Sequence, residues 1–146
     1  MRVYWAVRRP RTHGALVAIW YEGRILLVQN SYVPYRSLPG GYVKAGETGR
    51  DAASRELFEE TGLRVDPSAL RLAFDQQHVW EGKQEHIEIF ELDVTARPTI
   101  KVDNREVLAA EFFTPEKALQ LQLFAPLRTV IQQRLASESG GHAAPS

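Results

Sequence analysis

The segment from residue 41 to residue 63 constrains this 146-residue chain more than any other part of it. Thr48 and Asp51 have the spacing of a helix capping box, and Gly62 stands where a left-handed C-terminal cap belongs. These signals predict a helix that begins after Thr48 and ends at Gly62. Helical geometry of about 100° per residue then puts three glutamates on one face: Glu56, Glu59 and Glu60.

Carboxylates placed this close together repel one another, and in a partly buried site the repulsion raises their pKa values. A hard divalent cation such as Mg²⁺ removes the repulsion, because it takes oxygen ligands from carboxylates, waters and phosphates. The turn Pro39-Gly40-Gly41 precedes the helix, and its glycines allow backbone groups to approach a metal or a phosphate. The pattern therefore predicts a metal–phosphate site. The alternative for an isolated Glu-x-x-Glu-Glu run is an ordinary solvated acidic helix.

The segment resembles the complete Nudix box, and this favours the metal site. The box requires a Gly, five residues, a Glu, seven residues, Arg-Glu, an aliphatic residue, any residue, Glu-Glu, any residue, a Gly and an aliphatic residue. The matching residues are Gly41, Glu47, Arg55, Glu56, Leu57, Glu59, Glu60, Gly62 and Leu63. The flanks are also similar to the family, from the Leu-Pro-Gly-Gly lead-in to the downstream Ala-Ala-Glu-Phe-Phe-Thr-Pro segment, so the resemblance extends over residues 1 to about 135.

The resemblance implies an α+β fold, a Nudix-type α/β/α sandwich with a mixed β-sheet. It assigns residues 1–136 to the Nudix hydrolase domain, and the small, polar composition of residues 137–146 predicts a flexible C-terminal tail. It also implies a metal cofactor, Mg²⁺ or Mn²⁺. The expected ligands are Glu56, Glu59 and Glu60, a backbone carbonyl of Gly40 or Gly41, and Glu47 in a supporting or indirect role.

The activity implied by the resemblance is hydrolysis of a diphosphate bond in a nucleoside diphosphate linked to another moiety. A water activated by the cation attacks one phosphorus while a carboxylate accepts its proton. Glu56 is the first candidate for this base. Glu106, from a later loop, is the second, and Arg55 is expected to orient a neighbouring glutamate.

Two other functions remain open at the level of the sequence. One is a non-catalytic nucleotide-binding or regulatory module, which degenerate box residues would favour, and none of the box residues is degenerate. The other is an isomerase on the same scaffold, which typically needs a cysteine, and the chain has none. The substrate stays undefined, because the chain lacks the extra motifs associated with ADP-ribose and coenzyme A hydrolases.

Four residues outside the metal cluster are candidates for substrate contact: Arg36, Lys44, Tyr35 and Trp80. Each of the two cations could meet a phosphate or be an ordinary surface charge. The tyrosine, like Tyr32, could stack on a base, although packing beneath the loop is favoured. The tryptophan lies in a polar, hairpin-like loop and could form part of a base or ribose pocket. His78 and His86 flank that loop, and both are expected to be solvent-exposed.

Composition narrows the choice of partners. The chain has 18 basic residues (lysine plus arginine) and 18 acidic residues (aspartate plus glutamate), so its formal net charge is zero. A dedicated nucleic-acid binder usually has a basic excess. No apolar run has the length of a signal peptide or a membrane span, so we expect a cytoplasmic protein with a small-molecule substrate, no membrane and no stable nucleic-acid partner. The arginine-rich, aromatic N-terminal strand could serve the interface of a homodimer.

Residue patterns predict the remaining elements. Strands are expected at 3–7, 14–20, 24–29, 70–74, 86–95 and 110–113, with a hairpin turn at Tyr21-Glu22-Gly23. In the 86–95 segment both alternating faces are partly apolar, which predicts a central strand covered on both sides. A helix is expected over 115–135, interrupted by Pro126. Trp20 is expected to pack in the core or in an interface.

Overall fold

A computed structural model of the chain describes residues 11–31, 34–80 and 82–142, and gives the backbone alone for Trp80 and for 140–142. The strand predicted at 3–7 and Tyr32 lie outside the described residues. The strands are β1 (Arg11–Tyr21), β2 (Arg24–Asn30), β3 (Arg36–Ser37), β4 (Gly40–Tyr42), β5 (Arg71–Trp80), β6 (Lys83–Val94) and β7 (Val107–Phe113). The helices are α1 (Gly49–Thr61), α2 (Pro115–Ala118) and α3 (Ala125–His142), with a short 3₁₀ turn at Pro67–Ala69.

The strands form one mixed sheet in the order β3-β2-β1-β6-β5, with β4 paired to β1 and β7 paired to β2. β1 is its central strand. It runs parallel to β6 along its whole length, from the Arg11–Gln84 pair to the Tyr21–Val94 pair, and antiparallel to β2 and β4. A mixed sheet with helices packed on it is the α+β sandwich that the sequence predicts.

Two hairpins differ in how well the sequence predicts them. The β1–β2 turn lies where expected, between the paired residues Tyr21 and Arg24. Glu22 and Gly23 adopt the positive φ angles, 49° and 75°, of a two-residue hairpin. The β5–β6 hairpin is longer than expected, because β5 continues through the polar residues after Phe74 to the Trp80–Lys83 pair. Those residues do not alternate in polarity, so the extension depends on pairing with β6 rather than on local pattern.

The sheet has an apolar core on each face, and β6 contributes to both, as predicted for a covered central strand. Ile87 and Ile89 pack together with Trp20 in the core beneath α3. Phe90 lies in the core beneath α1. α3 contributes Leu127, Val130 and Ile131, whereas α1 contributes Ala52, Ala53 and Leu57. The prediction that Trp20 is a packing residue is confirmed, since it is almost fully buried.

The C-terminal helical region differs from the prediction. Instead of one interrupted helix over 115–135, it contains the single turn α2 and the longer α3. Pro126 does not interrupt a helix but lies in the first turn of α3, where its missing N–H has no intrahelical partner to lose. α3 continues past residue 136 as far as His142, and the division between a domain and a flexible tail stays a prediction.

Candidate active site

Helix α1 carries the three predicted glutamates, and both of its ends are fixed by the predicted caps. The Thr48 side chain accepts a hydrogen bond from the Asp51 amide, and the Asp51 carboxylate accepts one from the Thr48 amide. At the other end Gly62 adopts φ 78°, and its N–H donates to the Phe58 carbonyl. Since both caps are local, they fix the two ends of the helix but not its rotation relative to the sheet.

The apolar face of α1 packs on the sheet, and the glutamates therefore differ in burial. Glu56 and Glu60 are 5% and 3% exposed, whereas the side chain of Glu59 is 47% exposed. A buried carboxylate is costly unless it meets a donor or a cation. For Glu60 the donor is the amide of Gly40, 3.1 Å from Oε1.

Gly40 reaches Glu60 because its turn lies directly on β1. Gly40 pairs with Leu16, Gly41 pairs with Ala15, and the Pro39 carbonyl accepts a hydrogen bond of 2.9 Å from the Val17 amide. A Cβ atom on Gly40 would lie 2.3 Å from the Ala15 carbonyl oxygen, and its φ of 153° is one that L side chains rarely adopt. The glycine-rich turn thus brings the backbone close to the glutamate cluster, as the sequence suggested, and an amide makes the contact.

Arg55 is the cation inside the cluster. Its guanidinium donates two hydrogen bonds of 2.8 Å to the Glu47 carboxylate and a third, of 3.1 Å, to the Tyr42 carbonyl. Its Nη1 atom lies 3.5 Å from Glu56 and 3.6 Å from Glu59. Arg55 therefore connects the loop before α1 to two of the helix glutamates.

The same contacts shift the pKa values of this ion pair. Hydrogen bonds from Arg55 lower the pKa of Glu47 from 4.5 to about 2, and the Lys44 amide lowers it further by donating to the same carboxylate. The hydrogen bond with Glu47 raises the pKa of Arg55 above its ordinary value, with Glu56 and Glu59 adding to the effect. Both groups are charged across the physiological range, so the loop and the helix are held together by a permanent ion pair.

The donor set of the cluster fits a hard divalent cation. Its side-chain ligands are all carboxylates, two of them largely withdrawn from water, which is the oxygen chemistry that Mg²⁺ prefers. The carboxylates are arranged around Arg55 and the Gly40 amide. Among the described residues, His13, His86 and Glu88 are the group whose ligand atoms already lie within 4.8 Å of one another.

The structure places the remaining candidates as follows. Arg36 donates to Glu111 at 3.0 Å, and its guanidinium lies 5.4 Å from the Phe113 ring centre. Lys44 is exposed and Tyr35 is half-buried. Trp80 ends β5, and its side chain lies outside what the structure describes. The carbonyl of Glu106 accepts from the Ser31 amide at 2.8 Å. The functional roles of these residues stay predictions.

A shallow groove lies beside the cluster on the outer side of α1. Arg55 and Glu59 line one part of it, and Phe58 and Arg64 line another. The Arg64 guanidinium lies 4.1 Å above the Phe58 ring, and the ring itself is 40% exposed. An aromatic surface and a cation therefore adjoin the exposed glutamate.

One histidine prediction is wrong. His78 is exposed as expected, but His86 is half-buried, stacks on His13 with ring centres 4.2 Å apart, and bonds to Asp75. His13 and Glu88 were not predicted as partners of His86. The His-x-Glu spacing in β6 places two of these residues on one face, but the pairing that adds His13 joins residues far apart in the chain.

Comparison with known proteins gives one consistent result. The NUDIX domain family profile matches residues 10–133. A putative 8-oxo-dGTP diphosphatase from Bacillus subtilis is 44% identical over 78 residues, covering 49% of this chain and 52% of the relative. An NAD-capped RNA hydrolase NudC from Klebsiella pneumoniae is 31% identical over 120 residues, covering 81% of this chain and 44% of the relative. The chain thus spans about half the length of these curated relatives.

The fold also matches a solved structure. A binary complex of the C. elegans Ap4A hydrolase superposes with a TM-score of 0.73 at 20% identity, covering 88% of this chain and 98% of the other. At that identity the match concerns the fold alone. Helices of the described residues include none with the length and apolar character of a membrane span.

Proposed function

The chain belongs to the Nudix family, and from this premise we propose that it hydrolyses a diphosphate bond in a nucleoside diphosphate linked to another moiety. The observation that carries the proposal is the arrangement on α1. Two buried glutamates and one exposed glutamate share a helix face, and each is tied to a fixed group, the Gly40 amide or Arg55. A solvated acidic helix would not bury two carboxylates, which favours the metal–phosphate site.

We assign the metal ligands to Glu56, Glu59 and Glu60, with Gly41 contributing backbone and Glu47 supporting the loop. When bound, Mg²⁺ or Mn²⁺ would neutralise phosphate charge and lower the pKa of a water. Glu56 is our first candidate to accept a proton from the attacking water, which its closeness to Arg55 and its burial support, and Glu106 is the second candidate for this role. Arg55 positions Glu56 and Glu59, while its bond to Glu47 holds the loop against the helix.

The substrate class is a nucleotide, a nucleotide sugar or a related small molecule. Relatives are named as hydrolases of 8-oxo-dGTP and of NAD-capped RNA, and a structural neighbour as an Ap4A hydrolase. These compounds share a phosphoanhydride linked to a nucleoside. The groove beside Glu59 supports the same class, since Phe58 and Arg64 offer a stacking surface and a cation for a base and a phosphate. Arg36, Lys44, Tyr35 and Trp80 stay candidates for further substrate contacts.

The test is chromatographic detection of the cleavage products of a panel containing 8-oxo-dGTP, Ap4A, ADP-ribose, NAD-capped RNA and simple nucleotides, with Mg²⁺, with Mn²⁺ and with EDTA. We expect turnover of at least one compound that EDTA abolishes. Glu60→Gln should lower that turnover by more than the roughly 10–100-fold loss typical of an outer-shell metal partner. Glu116→Gln, an exposed glutamate in the first turn of α2, is the matched control and should retain wild-type turnover.

The alternative, a non-catalytic nucleotide-binding or regulatory module, predicts a different outcome. In that case nucleotides bind, as calorimetry would detect, but none of the panel is cleaved with either metal. Wild-type turnover in Glu60→Gln would instead contradict the assignment of that ligand.

We place the catalytic domain at residues 1–136 and propose that residues 137–146 are dispensable for turnover. The side chains of 136–139 are exposed, although Glu138 lies 3.5 Å from Arg134. A chain truncated after residue 136 should therefore keep its activity.

The proposal also places the protein in the cytoplasm, without a membrane or a stable nucleic-acid partner. Sedimentation of the full chain distinguishes a monomer from a homodimer.

A further inference from the structure

Four polar side chains from three adjacent strands, termed the square, lie together on the α1 face of the sheet, outside the glutamate cluster. His13 of β1 pairs directly with His86 of β6, and Glu88, two residues further along β6, pairs directly with Asp75 of β5. Residues two apart in a strand point to the same side, so His86 and Glu88 share a face. This face is the one toward α1, because Glu88 lies against Gly49, the first residue of that helix.

Two contacts within the square each join neighbouring strands, between residues that are two positions out of register. Nε2 of His13 lies 2.5 Å from Oε1 of Glu88, and Nε2 of His86 lies 2.5 Å from Oδ1 of Asp75. The two imidazole rings stack with their planes 11° apart. Three of the four residues, the two histidines and Glu88, each offer a ligand atom within 4.8 Å of the others.

The surroundings make the square a half-buried site that is open on one side. The Glu88 side chain is 15% exposed, and a Cβ atom at Gly49 would lie 2.0 Å from its Oε1 atom, so the helix covers this carboxylate. His13 and His86 are 34% and 29% exposed. A small ion can therefore reach both imidazoles from solvent, while the carboxylate beneath them is fixed between sheet and helix.

We propose that His13, His86 and Glu88 bind a transition-metal ion of the Zn²⁺ type, with Asp75 or water as the fourth ligand. Two imidazole nitrogens with a carboxylate oxygen are a set that zinc accepts, at bond lengths of about 2.0–2.2 Å. In a tetrahedral shell of that size the ligand atoms lie about 3.3 Å apart. Side-chain rotations would convert the observed group into that shell, with the 2.5 Å contact between His13 and Glu88 lengthening as the metal enters between them.

This site differs from the glutamate cluster in chemistry and in position. The cluster offers only oxygen ligands, which suit Mg²⁺, whereas imidazole nitrogen favours zinc and its neighbours. Gly49 and Glu56 are separated by about two helical turns, or about 10 Å along the α1 axis. A metal in the square would connect β1 and β6 beneath the start of α1. It would act on stability without entering the hydrolytic site.

The experiment is a calorimetric titration of the full chain with Zn²⁺ in a large excess of Mg²⁺, which saturates oxygen-only sites. We expect one Zn²⁺ per wild-type chain. His13→Asn and His86→Asn should each weaken Zn²⁺ binding by at least about tenfold, and Glu88→Gln should do so without a change in side-chain volume. His78→Asn, an exposed histidine on β5, and Glu60→Gln, in the glutamate cluster, should bind Zn²⁺ like the wild type.

Unchanged Zn²⁺ affinity in both His13→Asn and His86→Asn would overturn the proposal, as would loss of binding in Glu60→Gln alone. A second measurement needs no variant of the square. Zn²⁺ added to wild-type protein should shift the imidazole ¹⁵N resonances of His13 and His86 and leave those of His78 in place. A shift confined to other histidines would likewise overturn the assignment.

Discussion

Glu47 holds the loop before α1 to the helix through Arg55. Loss of this ion pair should lower the free energy of unfolding. Glu47→Gln removes the charge from a pair whose hydrogen bonds are 2.8 Å long, and we expect a loss of about 1–2 kcal/mol at pH 7. Arg55, with its tie to the loop weakened, should also position Glu56 less well, so kcat should fall. Urea unfolding at pH 7 measures the first effect, with Glu116→Gln as the control.

The same substitution has a defined pH dependence. In the folded protein the pKa of Glu47 is lowered from 4.5 to about 2, so its contribution to stability is fully present above pH 4.5. That contribution declines as the pH falls from 4.5 toward 2, because the unfolded state then binds a proton at Glu47 that the folded state does not. The stability difference between wild type and Glu47→Gln should therefore be constant from pH 7 to about 5 and shrink below that. A difference that stayed constant down to pH 2.5 would contradict the assigned ion pair.

Gly40 is required for a different reason, the close approach of β4 to β1. In Gly40→Ala the new methyl group would lie 2.3 Å from a backbone oxygen, so strands must separate and the amide moves away from Glu60. Overpacking of this kind costs about 1–3 kcal/mol, and the displaced turn should also lower turnover. Gly46→Ala is the matched control: φ is likewise positive, at 85°, but nothing lies within 4 Å. Equal effects of the two substitutions would show that strain in φ, rather than contact with β1, explains the glycine.

Helix α1 shows which parts of the fold a sequence determines locally. Its caps and its glutamate face are set by residues within a few positions of one another, and the structure has them where they were predicted. The length of β5 and the partners of His86 depend instead on pairing with strands elsewhere in the chain. Register between distant strands leaves no mark on either strand alone, so His13 could not be recognised beside His86, whereas the spacing of His86 and Glu88 in β6 is local.

The capping box of α1 can be tested by itself. Thr48→Ala removes the acceptor for the Asp51 amide and should cost about 0.5–2 kcal/mol in unfolding free energy. Loss of this cap should let the first turn of the helix fray, and fraying should raise the amide hydrogen exchange rate of the helix N-terminus. Thr95→Ala, at an exposed bend, is the control and should change stability by less than about 0.5 kcal/mol. A helix N-terminus that exchanges at the wild-type rate in Thr48→Ala would speak against the cap.

Substitutions in the two cores on opposite faces of the sheet should lower stability alike but affect activity differently. The core beneath α1 supports the helix that carries the glutamates, whereas the core beneath α3 contains none of the proposed catalytic residues. Leu127 of α3 is fully buried there, so Leu127→Ala should cost about 2–5 kcal/mol through lost burial and the cavity left behind. Leu57 of α1 is equally buried, and Leu57→Ala should cost a similar amount.

The two variants should differ in catalysis. Assayed well below their unfolding temperatures, Leu127→Ala should keep wild-type kcat, because the glutamates and Arg55 do not rest on that side chain. Leu57→Ala should lower kcat, because the cavity lies directly beneath Glu56 and Glu60 and lets the helix shift by a fraction of an ångström. Leu108→Ala, whose side chain is 50% exposed, controls for the loss of a surface leucine and should change neither quantity. Equal losses of kcat in both core variants would mean that the sheet transmits the disturbance from one face to the other.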